Sequence, residues 1–206
     1  MFDARLRPLI DPPLNAMGRA FARCGIGANA VTLAGLIPAL GASLAIAHQH
    51  YLFALALILL NRLLDGLDGA VARVRGITDL GGYLDTLADF VFYVAVPLGF
   101  GFALAANAAP AMVLIASFTL TGVSFLAFAA IAAKRGEETA AHGTKSFFYS
   151  TGLAEGAETI AVFAAMCLWP AQFPVIAYAY AALCLLTVVQ RSLMARRTFA
   201  SGPGDA

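Results

Sequence analysis

Long runs of apolar residues, separated by short polar breaks, fill nearly the whole chain. A transmembrane helix needs roughly 20 apolar residues, and six segments reach that length. These segments cover approximately residues 29–48, 51–75, 79–105, 110–134, 150–169 and 171–194. The breaks between them carry turn signals such as "HQH", "RGIT", "NAAP" and "WPAQFP". The pattern predicts an all-α integral membrane protein with six transmembrane helices over residues 29–194.

The composition supports the membrane class. The chain is 61% hydrophobic and only 12% charged, whereas a soluble domain carries about 25% charged residues. Apolar runs leave no room for a separate soluble domain, so residues 1–206 are expected to form one membrane domain. Cys24, Cys167 and Cys184 lie far apart and form no CxxC or Cys/His cluster. They predict neither a zinc site nor a disulfide framework, and we expect them to be small packing residues.

The basic residues indicate the orientation. With alternating spans, Arg62 lies inside the second span, and every other Lys and Arg falls on one side of the membrane. The three connections on the opposite side, "HQH", "NAAP" and "WPAQFP", contain neither Lys nor Arg. The positive-inside rule then predicts that both termini are cytoplasmic. The expected location is the inner membrane of a bacterium, among membrane lipids, with the polar cluster described next facing the cytoplasm.

Residues 1–25 precede the first span. Leu14, Met17 and Phe21 recur here at helical spacing together with Arg19 and Arg23. This pattern favours an amphipathic helix that lies at the membrane interface, where its arginines meet lipid phosphates. A basic flank that only sets the topology explains the same residues equally well.

The apolar pattern is interrupted between Asp65 and Asp89, where five aspartates and two arginines occur. A charge deep in a membrane costs a few kcal/mol or more unless it faces a protein interior or a wet cavity. The flanking segments predict two antiparallel helices, with Gly76 as the helix breaker and Thr78 or Asp79 as the cap. Asp79 is therefore expected to be a turn or capping residue.

The remaining four aspartates share facing surfaces of this hairpin. Asp65 and Asp68 are three residues apart on the first helix, and Asp85 and Asp89 are four apart on the second, so each pair lies on one helix face. Four converging carboxylates repel one another unless they are protonated or bridged by cations. Hard divalent ions such as Mg²⁺ prefer oxygen ligands, and two such ions can clamp a reacting phosphoryl group.

Small residues are interleaved with the aspartates and would let a polar ligand approach the backbone closely. They are Gly66, Gly69, Ala70, Ala72, Gly81 and Gly82. Arg73 is placed one turn nearer the cytosol than Asp68, where it suits a phosphate or nucleotide. A helix-packing role and an ion or proton path are alternatives for the aspartates. Metal-dependent phosphate chemistry explains the combination best.

At this point the residues match a family pattern. The stretches "DGLDGAVAR" (65–73) and "GGYLDTLAD" (81–89), seven residues apart, resemble the CDP-alcohol phosphotransferase signature D-x2-D-G-x2-A-R-x(7–12)-G-x3-D-x3-D at all eight fixed positions. The resemblance implies transfer of a substituted phosphate from a CDP-linked donor to an alcohol, with release of CMP. It also implies two Mg²⁺ or Mn²⁺ ions bound by Asp65, Asp68, Asp85 and Asp89, with Asp89 as the catalytic base.

The same resemblance implies a CDP site lined by Gly69, Ala72 and Arg73. Related proteins often begin the first span with Pro-Asn-x-x-Thr, and this chain has Ala28 where the proline is expected. Asn29 and Thr32 are thereby implied to contact the nucleotide diphosphate. Alternatively, Asn29 caps the helix, since Asn is a favoured N-cap residue.

CDP-diacylglycerol suits a donor site that opens both to the cytosol and to lipid. A CDP-choline- or CDP-ethanolamine-type donor with a lipid alcohol acceptor is the alternative. The alcohol acceptor is expected to be polar, and a phosphorylated one such as glycerol 3-phosphate would suit basic residues. The candidates for acceptor binding are Arg62, Lys134, Arg135, Lys145 and Arg191.

Each of these cations also has a simpler explanation. Arg62 needs a partner inside its span and can pair with Asp65 or another acid, while the other four satisfy the positive-inside rule. Glu155 and Glu158 could recognise a polyol or an amine, or favour a helix N-terminus. The sequence does not identify the acceptor.

Two other classes are less well supported. A Mg²⁺-dependent membrane prenyltransferase generally carries two separate aspartate-rich motifs and more than six spans. An ion transporter is expected to show paired broken helices in both halves, and the second half has no acidic counterpart to residues 65–89. A homodimer is implied by the resemblance alone, and no nucleic-acid partner is expected.

Overall fold

The computed structural model describes residues 3–135 and 156–200, and these ranges are helical without any strand. The α-helices are α1 (Asp3–Arg23), α2 (Ala28–Ala47), α3 (Tyr51–Arg75), α4 (Asp79–Ala103), α5 (Ala108–Lys134), α6 (Gly156–Leu168) and α7 (Phe173–Phe199). Short 3₁₀ turns at Ala105–Asn107 and Pro170–Gln172 precede α5 and α7. The predicted all-α class is confirmed.

Four segments are long and apolar enough to cross a membrane: Ala28–Ala47, Asp79–Ala103, Ala105–Lys134 and Pro170–Phe199. α3 has the required length, but the acidic cluster interrupts its apolar run. α6 comprises only 13 residues of the described part of the chain. Membrane insertion is thereby supported, whereas the count of six spans and the cytoplasmic location of the termini stay predictions.

Two helices extend beyond the predicted spans. α5 begins at Ala108 and not at 110, since a proline such as Pro110 is tolerated in the first turn of a helix. α7 continues to Phe199 and not only to 194. Its last turn carries Arg196 and Arg197, whose charges favour the helix C-terminus.

The N-terminal segment forms the helix α1, which packs against α3, whereas its location at a membrane interface stays a prediction. Gly18 allows a close approach, because a Cβ atom at this position would lie 2.8 Å from Ala70. Leu14 is buried in the same contact. Cys167 and Cys184 are buried as expected, but Cys24, just after α1, is exposed and does not act as a packing residue.

The main core joins α4 to the second half of the chain through aromatic rings. The Phe100 and Phe173 rings stack with centroids 4.4 Å apart, and the Phe92 and Phe163 rings meet edge to face at 5.5 Å. These side chains are fully buried. Aromatic pairs of this kind add about 0.5–1.5 kcal/mol beyond their buried area, so they help to fix α4 against α6 and α7.

α2 lies against both helices of the acidic hairpin. Ser43 donates a hydrogen bond of 2.6 Å to the carbonyl of Ala95 on α4, and a Cβ at Gly99 would meet the Ser43 carbonyl at 2.5 Å. Gly35 and Gly41 face α3 at Asn61 and Leu57. The glycines of these spans therefore serve contacts within the chain, which the sequence could not assign.

Candidate metal and nucleotide site

The turn between α3 and α4 is built as the sequence predicted. Gly76 ends α3 with a φ of +104°, a conformation that glycine adopts without strain. Thr78 is the N-cap of α4, and its hydroxyl accepts a hydrogen bond of 3.1 Å from the Gly81 backbone N–H. Asp79 is the first residue of the helix. The two acidic helix faces are thereby folded against each other.

Three of the four predicted carboxylates meet between these helices. Asp65, Asp85 and Asp89 each offer an oxygen, and the three oxygens lie within 4.8 Å of one another. Asp65 and Asp89 are half-buried, whereas Asp85 is exposed. Unit charges repel by about 4 kcal/mol at 4 Å near a protein surface, so such a group requires nearby positive charge. An all-oxygen donor set of this kind fits Mg²⁺ or Mn²⁺.

Asp68 is not among these three and has its own partner on α2. Its side chain is buried, and its Oδ2 accepts a hydrogen bond of 2.6 Å from the Thr32 hydroxyl. Thr32 also lies 3.1 Å from the Ala28 carbonyl. Thr32 therefore contacts the acidic motif, a link between the first span and the hairpin that the sequence did not predict.

Arg62 provides the positive charge beside the cluster. Its Nη1 donates a hydrogen bond of 2.9 Å to Asp89 Oδ1 and lies 3.7 Å from Asp65 Oδ2. Of the two explanations for Arg62, pairing with an acid is the one observed, and Asp89 is the closer partner. The side chain is only 12% exposed, so solvent screens this pair weakly.

A relay of contacts holds the Arg62 guanidinium in place. Its Nε and Nη2 donate to Asn61 Oδ1 at 2.9 and 2.7 Å, and Asn61 Nδ2 donates to the Gly35 carbonyl at 2.9 Å. The guanidinium carbon also lies 4.1 Å from the centre of the Phe92 ring. Sequence reasoning missed Asn61, although a buried amide next to an arginine within an apolar run was a usable signal.

Arg73 is exposed on the turn side of the cluster and contacts the N-terminal helix. Its Nε and Nη2 donate to Asn15 Oδ1 at 3.3 and 3.0 Å, and its Nη1 would lie 3.6 Å from a Cβ at Gly69. Ala72 is half-buried beside it. Asn15 is a second residue that sequence reasoning missed, since no local pattern relates it to Arg73.

Not all of the small residues face a ligand. A Cβ at Gly66 would lie 2.8 Å from Leu14, and Ala70 contacts Gly18, so these two positions accommodate α1. The expectation that they admit a ligand was wrong. Gly81 does lie beside a candidate nucleotide residue, because its Cβ would be 3.2 Å from Asn29 Oδ1.

The capping role considered for Asn29 was also wrong, because the N-cap of α2 is Gly27. Asn29 lies within the first turn of the helix, and its side-chain oxygen approaches the start of α4. This arrangement gathers residues of α2, α3 and α4 around the same end of the acidic hairpin.

The other basic candidates are engaged elsewhere or exposed. Arg135 donates to the carbonyls of Thr198 and Phe199, each at 3.1 Å, and so ties the end of α5 to the end of α7. Arg191 is buried and donates to the Thr121 carbonyl at 2.8 Å and the Ser124 hydroxyl at 2.7 Å.

Lys134 is exposed at the end of α5. Lys145 and Glu155 lie outside the described residues. A role in acceptor binding stays a prediction for all of the basic candidates.

Comparison with known proteins identifies the class to which this helical hairpin belongs. The sequence profile of the CDP-alcohol phosphatidyltransferases matches residues 26–193, which includes α2 to α6 and most of α7. The chain therefore belongs to the CDP-alcohol phosphatidyltransferase family, and it is a transferase of this kind.

Individual relatives agree with the family. The chain is 47% identical to the inner membrane protein YnjF of Escherichia coli over 194 residues, 93% of each chain. It is 34% identical to the archaetidylinositol phosphate synthase of Pyrococcus horikoshii over 87 residues, 42% of this chain and 46% of that one.

Solved structures share the fold. The phosphatidylinositol phosphate synthase of Mycobacterium tuberculosis, in complex with manganese and citrate, superposes with a TM-score of 0.70 at 21% identity over 86% of both chains. The same enzyme with CDP-DAG bound gives a TM-score of 0.65 at 22% identity, over 89% of this chain and 93% of that one.

Proposed function

We propose that this protein transfers a phosphatidyl group from CDP-diacylglycerol to a polar alcohol and releases CMP. The observation that carries the proposal is the meeting of Asp65, Asp85 and Asp89 within 4.8 Å between α3 and α4, with Asp68 held beside them by Thr32. Family membership supplies the reaction class. A structure of the same fold was solved with CDP-DAG bound, which supports the lipid donor.

Asp65, Asp68, Asp85 and Asp89 would hold two divalent ions, Mg²⁺ or Mn²⁺. Such ions neutralise phosphate charge and polarise the reacting phosphoryl group. Support comes from the carboxylate donor set, which matches the oxygen preference of these ions. Manganese in a structurally similar synthase supports the same assignment.

The CDP group would lie against Gly69, Ala72 and Arg73, at the turn side of the aspartates. Arg73 is exposed and fixed by Asn15, so its guanidinium is oriented before the nucleotide arrives. Arginine suits this position because its planar fork pairs with phosphate oxygens. Asn29 and Thr32 would approach the diphosphate from α2.

In the reaction, the acceptor hydroxyl oxygen forms a bond to the phosphorus of the phosphatidyl group. The bond from that phosphorus to the bridging oxygen breaks, and CMP leaves with the electron pair. Asp89 would take the proton of the hydroxyl. Asp89 is half-buried and lies about one helical turn farther from the hairpin turn than Asp85. This position fits an acceptor that meets a membrane-embedded donor.

The candidates for binding a charged acceptor remain Arg62, Lys134, Arg135, Lys145 and Arg191. We expect a multi-pass protein of the inner membrane whose site opens to the cytoplasm. The E. coli relative is named an inner membrane protein, which supports this location. We also propose a homodimer, which rests on family resemblance alone.

The reaction is tested by incubating purified protein with CDP-diacylglycerol, Mn²⁺ or Mg²⁺, and each acceptor of a panel in turn. The panel contains inositol phosphate, glycerol 3-phosphate, inositol, serine and phosphatidylglycerol, and CMP release is the readout. Inositol phosphate comes first because two of the similar proteins are named for inositol phosphate lipids. Absence of CMP with every acceptor and both metals, from folded protein, would contradict the proposal.

A further inference from the structure

Arg62 is a charged residue within the site whose position the transfer chemistry alone does not explain. Its guanidinium donates a hydrogen bond of 2.9 Å to Asp89 and two hydrogen bonds to Asn61. The guanidinium carbon lies 4.1 Å from the centre of the Phe92 ring. Asn61 is itself anchored on the α2 backbone at Gly35. Three helices thus determine where this one positive charge lies.

We infer that Arg62 is a positioning residue that orients the Asp89 carboxylate and weakens the attraction of the aspartate cluster for divalent cations. The inference rests on the proposed transferase function for its catalytic consequence and on geometry alone for its effect on cations. The guanidinium of arginine is not deprotonated in proteins, so Arg62 supplies a permanent positive charge beside the cluster.

The orienting effect follows from the hydrogen bond. Arg62 Nη1 donates its hydrogen bond to Oδ1 of Asp89. The second oxygen of that carboxylate is therefore left for a metal ion or the acceptor hydroxyl. Because Asn61 and Phe92 restrain the guanidinium, the hydrogen bond from Arg62 restricts the rotation of the Asp89 carboxylate within the cluster. A carboxylate held in one orientation loses less entropy when the reaction geometry forms.

The electrostatic effect follows from charge and distance. Arg62 Nη1 lies 3.7 Å from Asp65 Oδ2 as well as 2.9 Å from Asp89 Oδ1, so it compensates part of the negative charge that attracts a dication. In a buried environment such a nearby charge is poorly screened. Removal of the charge should therefore tighten cation binding while the loss of orientation slows transfer.

The test measures Mn²⁺ binding by the disappearance of the free-ion electron paramagnetic resonance signal, without substrate or turnover. Arg62→Gln should lower the dissociation constant for Mn²⁺ by about tenfold, since one adjacent charge is removed, and should slow CMP release by about tenfold. Arg75→Gln is the matched control, because Arg75 lies in the last turn of the same helix and donates a hydrogen bond of 2.7 Å to the Gly25 carbonyl. Its Mn²⁺ affinity should stay within about twofold of the original protein.

Arg62→Lys provides a second comparison that keeps the charge and loses the planar fork. Its Mn²⁺ affinity should be within about threefold of the original, while CMP release falls because Lys cannot bond Asn61 and Asp89 together. Unchanged CMP release in Arg62→Lys would overturn the positioning role. Unchanged or weaker Mn²⁺ binding in folded Arg62→Gln would overturn the electrostatic role.

The Mn²⁺ comparison remains decisive if the proposed reaction is wrong. Protein that binds Mn²⁺ and releases no CMP with any acceptor contradicts the proposed phosphatidyl transfer. The Mn²⁺ affinities of the two Arg62 variants still decide whether this residue opposes the cation. A merely structural role would lower the unfolding temperature of both variants and leave the Mn²⁺ affinity of the folded fraction unchanged, which also overturns the inference.

Discussion

The Thr32 hydroxyl on α2 donates a hydrogen bond of 2.6 Å to Oδ2 of Asp68 on α3. Both side chains are buried, so the bond is protected from water and its loss would leave a carboxylate oxygen without this donor. A residue outside the acidic hairpin thereby fixes one of the four aspartates that the family signature contains. This contact yields the first prediction.

Thr32→Val keeps the side-chain shape and removes the donor. Because hydrogen bonds to charged groups contribute about 1.5–3 kcal/mol, we expect CMP release to fall by at least about tenfold, with Thr32→Ser close to the original. Thr119→Val serves as the control, since the Thr119 hydroxyl donates its hydrogen bond to the Ile115 carbonyl of its own helix. Full activity of Thr32→Val would show that Asp68 does not need this partner.

Asp89 and Asp79 lie on the same helix and should respond differently to the same change. Asp89→Asn removes the proposed base, so CMP release should fall by about 100-fold or more, while CDP-diacylglycerol binding is largely kept. Asp79→Asn alters only the first turn of α4 and should retain most of the activity. Binding is measured with labelled CDP-diacylglycerol. Turnover by Asp89→Asn near the original rate would exclude Asp89 as the base.

Asn15 offers a test of the N-terminal helix. Asn15→Ala removes the acceptor of both Arg73 hydrogen bonds, which lets the guanidinium move before the nucleotide binds. The KM for CDP-diacylglycerol should rise by about threefold, with kcat little changed, because an exposed hydrogen bond contributes modestly. A change confined to kcat would argue that α1 acts on the chemical step instead.

The close contact of α2 with α4 predicts a stability effect. A methyl group at Gly99 would meet the Ser43 carbonyl at 2.5 Å and Ile46 Cβ at 3.0 Å, so Gly99→Ala should lower stability by about 1–3 kcal/mol. Gly35→Ala is the matched control, since Gly35 also lies inside a helix and the nearest atoms to a Cβ there are 3.7 Å away. The readout is the unfolding temperature in detergent. Equal unfolding temperatures for the two variants would contradict the packing of these helices.

Local features of this molecule could be predicted from the sequence. Gly76 ends α3 and Thr78 caps α4, because helix breakers and caps act within a few residues of themselves. Helical spacing predicted that Asp65, Asp68, Asp85 and Asp89 share one region, and the carboxylates of Asp65, Asp85 and Asp89 do meet there. The family signature lies within this same local stretch, which explains why it was readable without a structure.

Contacts between distant segments could not be predicted. Asn15 is 58 residues from Arg73, and Thr32 is 36 residues from Asp68. Such pairs depend on how each helix is rotated about its axis and how closely it packs, and a helical period does not specify which helix faces which. For the same reason, the small residues Gly66 and Ala70 were assigned to a ligand although α1 covers them.

The central claim is that the aspartate cluster uses divalent cations to release CMP from CDP-diacylglycerol. Its most direct test strips the purified protein with EDTA and returns Mn²⁺ stepwise, with inositol phosphate and glycerol 3-phosphate as acceptors, for the original protein and for Asp85→Asn. We predict that CMP release is absent in EDTA, returns with Mn²⁺ in the original protein, and stays at least about 100-fold lower in Asp85→Asn. Equal CMP release by the two proteins, or release that persists in EDTA, would contradict the account.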